Sequence, residues 1–373
     1  MRIQTFEAQG FRNLQAVRFD PSPGVNVIFG ENGQGKTNLL EAIWLFTGMR
    51  SFRGAKDRDF IGFEEQRTSL SVSFQTAERV QTAALALQRD NIRDKRVFLN
   101  GVPLANPANL FGALRCVVFS PEHLSLVKEG PEERRRFLDS AVAQTRPSYL
   151  KLLRQYNRQL AQRNALLKAP YSGKPPVEAV DVWDRQLAKT GSYLSLMRLD
   201  YVERLAKAAG EYYAGISSGR ERLELRYYST VFCKRREPVS YTNGIIEYYY
   251  DRLHSRLNED FRQGYTGLGI HRDDLHFFIG GRDARAFGSQ GQQRSAVLAL
   301  KLAESALLTA AFDEAPCILF DDVMSELDVG RQQFLMNNLE GLQVFITCCE
   351  LAGLMRLAEG GRFSMENGVL TPV

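Results

Sequence analysis

Cysteine is scarce in this chain, five among 373 residues. The count is odd, it includes the neighbours Cys348 and Cys349, and no spacing suits a metal. That excludes a disulfide-stapled scaffold and suits a reducing cytosol. The four histidines, at 123, 254, 271 and 276, show no zinc-ligand spacing either. Long apolar runs are lacking: even Ala296 to Leu308 is broken by Lys301 and Glu304, so no membrane span is expected. The amino terminus opens like a strand, Met1-Arg2-Ile3-Gln4-Thr5-Phe6, without the charged-then-apolar pattern of an export signal. A large charge excess is missing as well, since a net charge of +5 permits a nucleic-acid partner without demanding one. The expectation is a cytoplasmic protein longer than one typical domain, with 44% hydrophobic residues to build a sizeable core.

What the sequence does contain is a phosphate-binding loop, Gly30-Glu31-Asn32-Gly33-Gln34-Gly35-Lys36-Thr37. The run Val25-Asn26-Val27-Ile28-Phe29 before it reads as a buried strand, and Asn38 to Trp44 after it reads as a helix, the context such a loop requires. Glycines let successive backbone N–H groups curl around phosphates, and the helix N-terminus adds a favourable dipole. Lys36 is expected to reach the β- and γ-phosphates of ATP, and Thr37 to give its hydroxyl to Mg²⁺.

Far downstream, Cys317-Ile318-Leu319-Phe320-Asp321-Asp322 is an apolar strand ending in two carboxylates, a Walker B pattern. A strand parallel to the one before the loop would bring Asp321 to the Mg²⁺ shell, with Asp322 just past the strand end to polarise the attacking water. The plainer reading is a strand followed by an acidic turn. Between the two motifs, Ser289-Gln290-Gly291-Gln292-Gln293-Arg294-Ser295 opens an apolar-periodic helix, and either a second anion site or a plain N-cap would explain it.

Taken together, these residues resemble the RecF family of bacterial recombination mediators, short relatives of the SMC proteins in the cassette ATPase superfamily. The matching segments include Phe11-Arg12-Asn13-Leu14, Gly30 to Ile43, Ser51-Phe52-Arg53, Val117 to Glu122, Arg134 to Asp139, His271-Arg272-Asp273-Asp274-Leu275, Ser289 to Glu304 and Asp321 to Asp328. The resemblance implies an α/β fold: an ABC-type P-loop ATPase head of two lobes with mixed sheets, residues 1–125 and 265–373, and a mainly helical inserted arm, residues 126–264. It implies nucleotide contacts from Gly30 to Asn38 and from Arg12, with Lys36, Asp321 and Asp322 as the hydrolytic set. Ser289, Gly291, Gln292 and Asp328 would serve the nucleotide of a partner subunit in an ATP-dependent homodimer. It also implies DNA at single-strand gaps, junctions or duplex, the partners RecR, RecO and RecA, slow DNA-dependent hydrolysis, and no membrane.

The sequence departs from the family pattern in places. Ile270 stands where a proline is usual, and Asp322, one methylene shorter than the common glutamate, fits slow turnover. Ser120 to His123 sits about where a glutamine-bearing loop belongs, without an assignable role for Glu122. The histidine that often follows the next strand is replaced, so that a γ-phosphate sensor is either Thr347 or missing.

Basic residues at Arg53, Lys56 and Arg58 are candidates for DNA, against an exposed basic loop. Arg134-Arg135-Arg136 reads as a salt-bridged helix face. The arm is expected to hold two antiparallel helices, Glu132 to Leu167 and Val180 to Tyr213, each on the order of 50 Å. A Pro/Gly-rich hinge, Ala169 to Pro176, would join them. Tyr227-Tyr228 and Tyr248-Tyr249-Tyr250 are expected to pack in the arm rather than stack on bases.

Three rival classes are open. A transporter energiser conflicts with the long separation of Thr37 and Ser289, an ATPase-nuclease has no room after the head, and a nonhydrolysing clamp would bind ATP without turnover.

Overall fold

A computed structural model describes residues 1–92, 95–168, 177–232, 243–350 and 360–373. The expected hinge at 169–176 lies outside the described residues. The chain divides into two compact units: Met1–Leu124, Tyr212–Gly219 and Val297–Val373 form the first, Ser125–Glu211 and Arg220–Ala296 the second.

The first unit carries two six-stranded sheets. One is antiparallel, with β1 (Arg2–Phe11), β2 (Leu14–Phe19), β4 (Arg67–Gln75), β5 (Val80–Gln88), β6 (Arg96–Leu99) and β7 (Val102–Pro103) in the order β2-β1-β4-β5-β6-β7. Its strands alternate buried and exposed residues, the mark of a sheet covered on one face. Asn100 and Gly101, both at positive φ, turn β6 into β7 as the sequence suggests.

The other sheet is mixed and holds β3 (Val25–Phe29), β8 (Cys116–Phe119), β12 (Cys317–Asp321), β13 (Val344–Cys348), β14 (Gly360–Glu366) and β15 (Val369–Pro372). Its order is β15-β14-β3-β13-β12-β8. Every residue of β8, β12 and β13 is buried, as expected of parallel strands covered on both faces. Helix α1 (Lys36–Trp44) follows β3, and its Leu39, Leu40 and Ile43 join Phe6, Phe74, Leu319 and Phe345 in one core shared by both sheets. A short α10 (Val329–Asn338) lies between β12 and β13.

In the second unit, α2 (Ser125–Lys128) leads into α3 (Pro131–Thr145) and α4 (Ser148–Lys168). The single helix expected over Glu132 to Leu167 is therefore two. Arg146 leaves helical dihedrals ahead of Pro147, which offers no N–H and crowds the residue before it. The second long helix is present as α5 (Val177–Ile216), whose 40 residues span about 60 Å, with its last turn counted in the first unit. Contacts from Arg163 to Asp184, Gln159 to Thr190 and Tyr149 to Arg198 run in opposite chain directions, so α4 and α5 are antiparallel.

Helices α6 (Asn243–Ser255) and α7 (Leu257–Gln263) complete the helical part. A three-stranded sheet of β9 (Leu223–Tyr228), β10 (Asp274–Ile279) and β11 (Arg282–Asp283) precedes α8 (Ala284–Phe287) and the start of α9 (Gln290–Phe312). Residues 265–296, assigned to the head from the sequence, thus fall in this unit. The reason is that β10 pairs with β9, while Arg134 clamps Asp274 with bonds of 2.7 and 2.9 Å.

Arg135 donates to the carbonyl of Asp273 and Arg136 pairs with Glu132 and Glu133, so the arginine run is a salt-bridged face. Tyr249 is fully buried, Tyr248 stacks on Phe232 and Tyr250 donates to Asp181, in keeping with packing; Tyr228, 42% exposed, contacts His276. His271 Nε2 faces the Thr266 carbonyl at 2.9 Å, which places its proton there, and Nδ1 meets the Tyr156 hydroxyl at 2.8 Å. Burial pushes the pKa of His271 down to about 4.

One expectation needs correcting. The 23-residue α9 is long and apolar enough by composition to cross a bilayer, contrary to the sequence reading. It is instead a mostly buried core helix, whose Lys301 and Glu304 neutralise each other.

Candidate nucleotide-binding site

The loop between β3 and α1 emerges at the carboxyl end of β3, flanked by β13 on one side and β14 on the other. Its first glycine answers to the protein's own packing. A Cβ on Gly30 would lie 2.2 Å from the Met365 carbonyl oxygen on β14. At Gly35, with φ of 114°, a Cβ would come within 2.9 Å of the Asn13 and Leu14 side chains. The turn is tied from outside: Asn13 Nδ2 donates to the Gly33 carbonyl at 2.8 Å, the Gly368 amide to the Gln34 carbonyl at 3.0 Å, and the Asn367 amide to Gln34 Oε1. Asn32 Oδ1 accepts from the exposed Cys349 thiol at 3.1 Å, while Glu31, Asn32 and Gly33 face solvent.

Lys36 is buried, yet its ammonium donates only to carbonyl oxygens, those of Gly30 at 2.6 Å and Glu31 at 2.8 Å. Among the described residues no carboxylate forms an ion pair with it. Thr37, one residue on, donates to Asp321 Oδ1 at 2.7 Å across 284 residues of sequence. That meeting follows from register: Asp321 on β12 is level with Thr347 on β13, and Thr347 with Ile28 on β3. Burial raises the Asp321 pKa, opposed by the hydroxyls of Thr37 and Thr347. Asp322 leaves the strand in a left-handed conformation, φ 52°, and its carboxylate accepts from Ser325 Oγ at 3.1 Å.

A second group of charges surrounds the fully buried Glu41 of α1. Arg12 holds it with Nε at 2.6 Å and Nη2 at 3.1 Å, the Ser51 hydroxyl donates to it, and Arg53 stands 3.9 Å away. Arg53 also donates to Asn38 Oδ1 at 3.0 Å, and Asn38 donates to Asn13 at 2.7 Å, which returns to the loop at Gly33. Of the candidate DNA residues, Lys56 is exposed, Arg58 is exposed beside Asp59, and Arg53 lies 3.9 Å from Glu122.

The donor set fits its expected occupants. A glycine turn at a helix N-terminus and a buried ammonium without a carboxylate suit a triphosphate, and the paired oxygens of Thr37 and Asp321 suit a hard cation such as Mg²⁺.

Ser289, in the second unit, caps α9. Its hydroxyl accepts from the Gln292 amide at 3.2 Å, and Gln292 Oε1 accepts from the Ser289 amide at 2.8 Å, a reciprocal capping box. Gln292 Nε2 donates to Glu221, and the Gly291 carbonyl accepts from Ser295 at 2.8 Å. Asp328 caps α10 through the Arg331 amide at 3.0 Å and pairs with the Arg331 guanidinium at 2.9 Å. The plain N-cap reading of Ser289 thus holds in the structure, and any further role is additional to it.

Residues 2–369 match the family model for the RecF/RecN/SMC N terminal domain. A DNA replication and repair protein RecF of Clostridioides difficile (strain 630) is 36% identical over 99% of this chain and 100% of its own length. A RecF of Symbiobacterium thermophilum is 41% identical over 95% of this chain and 93% of its own. The chain belongs to the RecF family. A solved structure of the recombination mediator protein RecF-ATPrS in the RecFOR pathway superposes with a TM-score of 0.90 at 33% identity, covering 100% of this chain and 98% of that one. The Smc head domain of Pyrococcus furiosus, at 18% identity and a TM-score of 0.56 over 100% of this chain and 96% of that one, shares the fold alone. The fold of this RecF-family chain is therefore the ABC-type ATPase head in the α/β class.

Sequence reasoning missed the brace around the loop. Asn13 and Glu41 sit inside matched segments, but nothing in their spacing says that one ties Gly33 and the other gathers two arginines. The hairpin of β14 and β15 was passed over although Asn367-Gly368, at φ 48° and 77°, is the same turn signal as Asn100-Gly101.

Proposed function

We propose that this RecF-family chain is an ATP-dependent DNA clamp of recombinational repair and replication restart, acting in the cytoplasm. The observation that carries it is the Thr37–Asp321 contact beside a buried Lys36 whose partners among the described residues are neutral carbonyls. The resemblance to RecF-ATP and RecF-ATPrS structures supports ATP as the nucleotide.

Backbone amides from Gly30 to Thr37 and the Lys36 ammonium hold the phosphates. Mg²⁺, when bound at Thr37 and Asp321, supplies charge neutralisation at the phosphate oxygens. Asp322 accepts the proton of the attacking water, and its short side chain suits slow turnover. Ser289, Gly291 and Gln292 of one subunit close over the nucleotide of a second copy, with Asp328 linking the sites, so that ATP glues two heads around DNA at gaps, junctions or duplex. Arg53, Lys56 and Arg58 meet the DNA backbone, binding weakens with salt, and RecR and RecO join in loading RecA.

Light scattering tests the reading: the mass is measured without nucleotide, with ADP, and with ATP for the Asp322→Asn variant, each with and without gapped duplex. A dimer that forms only with ATP and retains DNA is expected. A chain that binds ATP yet stays monomeric, or ignores DNA, would refute the clamp.

A further inference from the structure

We propose that Thr347 is the positioning residue of the paired carboxylates, and that it is not a sensor of the terminal phosphate. The role rests on the ATPase reading above. Thr347 lies on β13 directly beside Asp321 of β12. Its Oγ1 accepts the Asp322 N–H at 3.0 Å and lies 3.1 Å from Asp321 Oδ1 and 3.3 Å from the Phe320 carbonyl oxygen. A hydroxyl has one proton, so it donates to one acceptor at a time. The shorter contact gives that proton to Asp321.

Burial decides between the two roles. Thr347 is fully buried, and its hydroxyl is committed on both its donor and acceptor sides, so it presents nothing to a bound phosphate. Thr37 is only half-buried and reaches Asp321 Oδ1 from α1. The Asp321 carboxylate is therefore held from two sides, once by an element of the phosphate loop and once from the sheet interior.

Asp322 depends on Thr347 in a different way. Its φ of 52° lies in the left-handed region, which aspartate visits more readily than most residues with a Cβ but still at some cost. The Thr347 hydroxyl receives its amide, and Ser325 Oγ lies within donating distance of its carbonyl and of its carboxylate, with one proton to give to either. One hydroxyl thus fixes the side chain of the first aspartate and the backbone of the second. A general base misplaced by about 1 Å loses rate steeply.

Valine fills the volume of threonine but can neither accept the Asp322 amide nor donate to Asp321, whereas serine can do both. In Thr347→Val, turnover should fall by about 10- to 100-fold with the KM for ATP within about 3-fold, because Lys36 and the loop amides are untouched. The Mg²⁺ concentration that half-tightens ADP binding, read by calorimetry without any turnover, should rise several-fold. Thr347→Ser should restore both readouts. A Thr347→Val variant with wild-type turnover and Mg²⁺ response would overturn the role. So would a Thr347→Ser variant as impaired as valine, since the methyl group and not the hydroxyl would then matter. A wild-type chain that binds no nucleotide would overturn the ATPase reading and the role with it.

Discussion

The buried arginines of the second unit and the buried Lys36 of the first are compensated in opposite ways. In the second unit, Arg163 is fully buried between Asp184 and Asp260 at 2.5 and 2.8 Å, and Arg198 between Asp139, Tyr149 and the Ile270 carbonyl. Each charge has a carboxylate. In the first unit Lys36 is also buried, but its bonds go to two neutral carbonyls. A buried charge is costly unless compensated: the second unit's arginines, like Lys301 beside Glu304 in the first, are compensated within the fold, whereas Lys36 leaves its compensation to an incoming anion. The pattern separates a structural cation from a binding cation without reference to any motif.

Breaking one partner in the second unit should have the largest effect. Arg163→Ala strips Asp184 of its counter-ion, leaves Asp260 to Arg256 at 3.2 Å, and should cost about 3–5 kcal/mol of that unit's stability. The check is urea unfolding followed by Trp183 in a Trp44→Phe background, since the two tryptophans fall one in each unit. ATP binding by the folded fraction should be unchanged. Lys36→Ala should do the reverse, weakening ATP by about 2–5 kcal/mol in calorimetry while leaving thermal stability equal or raised. Loss of stability comparable to Arg163→Ala would erase the distinction.

Acid should act next, on His271 of the second unit and on His123 of the first, whose pKa burial also pushes well down. The folded pKa of His271, about 4, lies below its ordinary value of 6.5, so the unfolded chain binds the extra proton first. Its contribution is complete above about pH 6.5 and lost as pH falls toward 4, on the order of 3 kcal/mol. Unfolding midpoints at pH 7 and pH 4.5 should differ, and His271→Gln should reduce the difference. Smallest is Ser289→Ala, which removes one half of a capping box and should cost about 1 kcal/mol of thermal stability, with Ser289→Asp tolerated.

Much of this was legible from the sequence, and unevenly so. The strand at Val25–Phe29, the loop, the strand to Asp321 and the helix after Ser289 all fall where periodicity and glycine placement put them, because each is a local pattern. The break at Pro147 was missed although proline announces such breaks, since the apolar pattern continues across it. The boundary at 264/265 was drawn from family resemblance, whereas the compact units follow the pairing of β9 with β10, a contact between segments far apart in sequence. Asn13 and Glu41 gave no signal of their roles for the same reason, and Thr347 was legible as a candidate phosphate sensor but not as a neighbour of the aspartates. Their partners are set by which strands and helices end side by side, and that is decided by the assembled sheet.

The Asn367 amide reaches Gln34 across 333 residues of chain, and β14 supplies the carbonyl that fills the space beside Gly30. A ribosome makes the loop long before it makes the brace. Until residues 360–373 have been synthesised, β3 lacks one of its two neighbours and the loop has no outer wall. The nascent chain therefore carries a recognisable nucleotide motif long before it has a finished nucleotide pocket, and its capacity to engage ATP should arrive only once residues 360–373 have emerged.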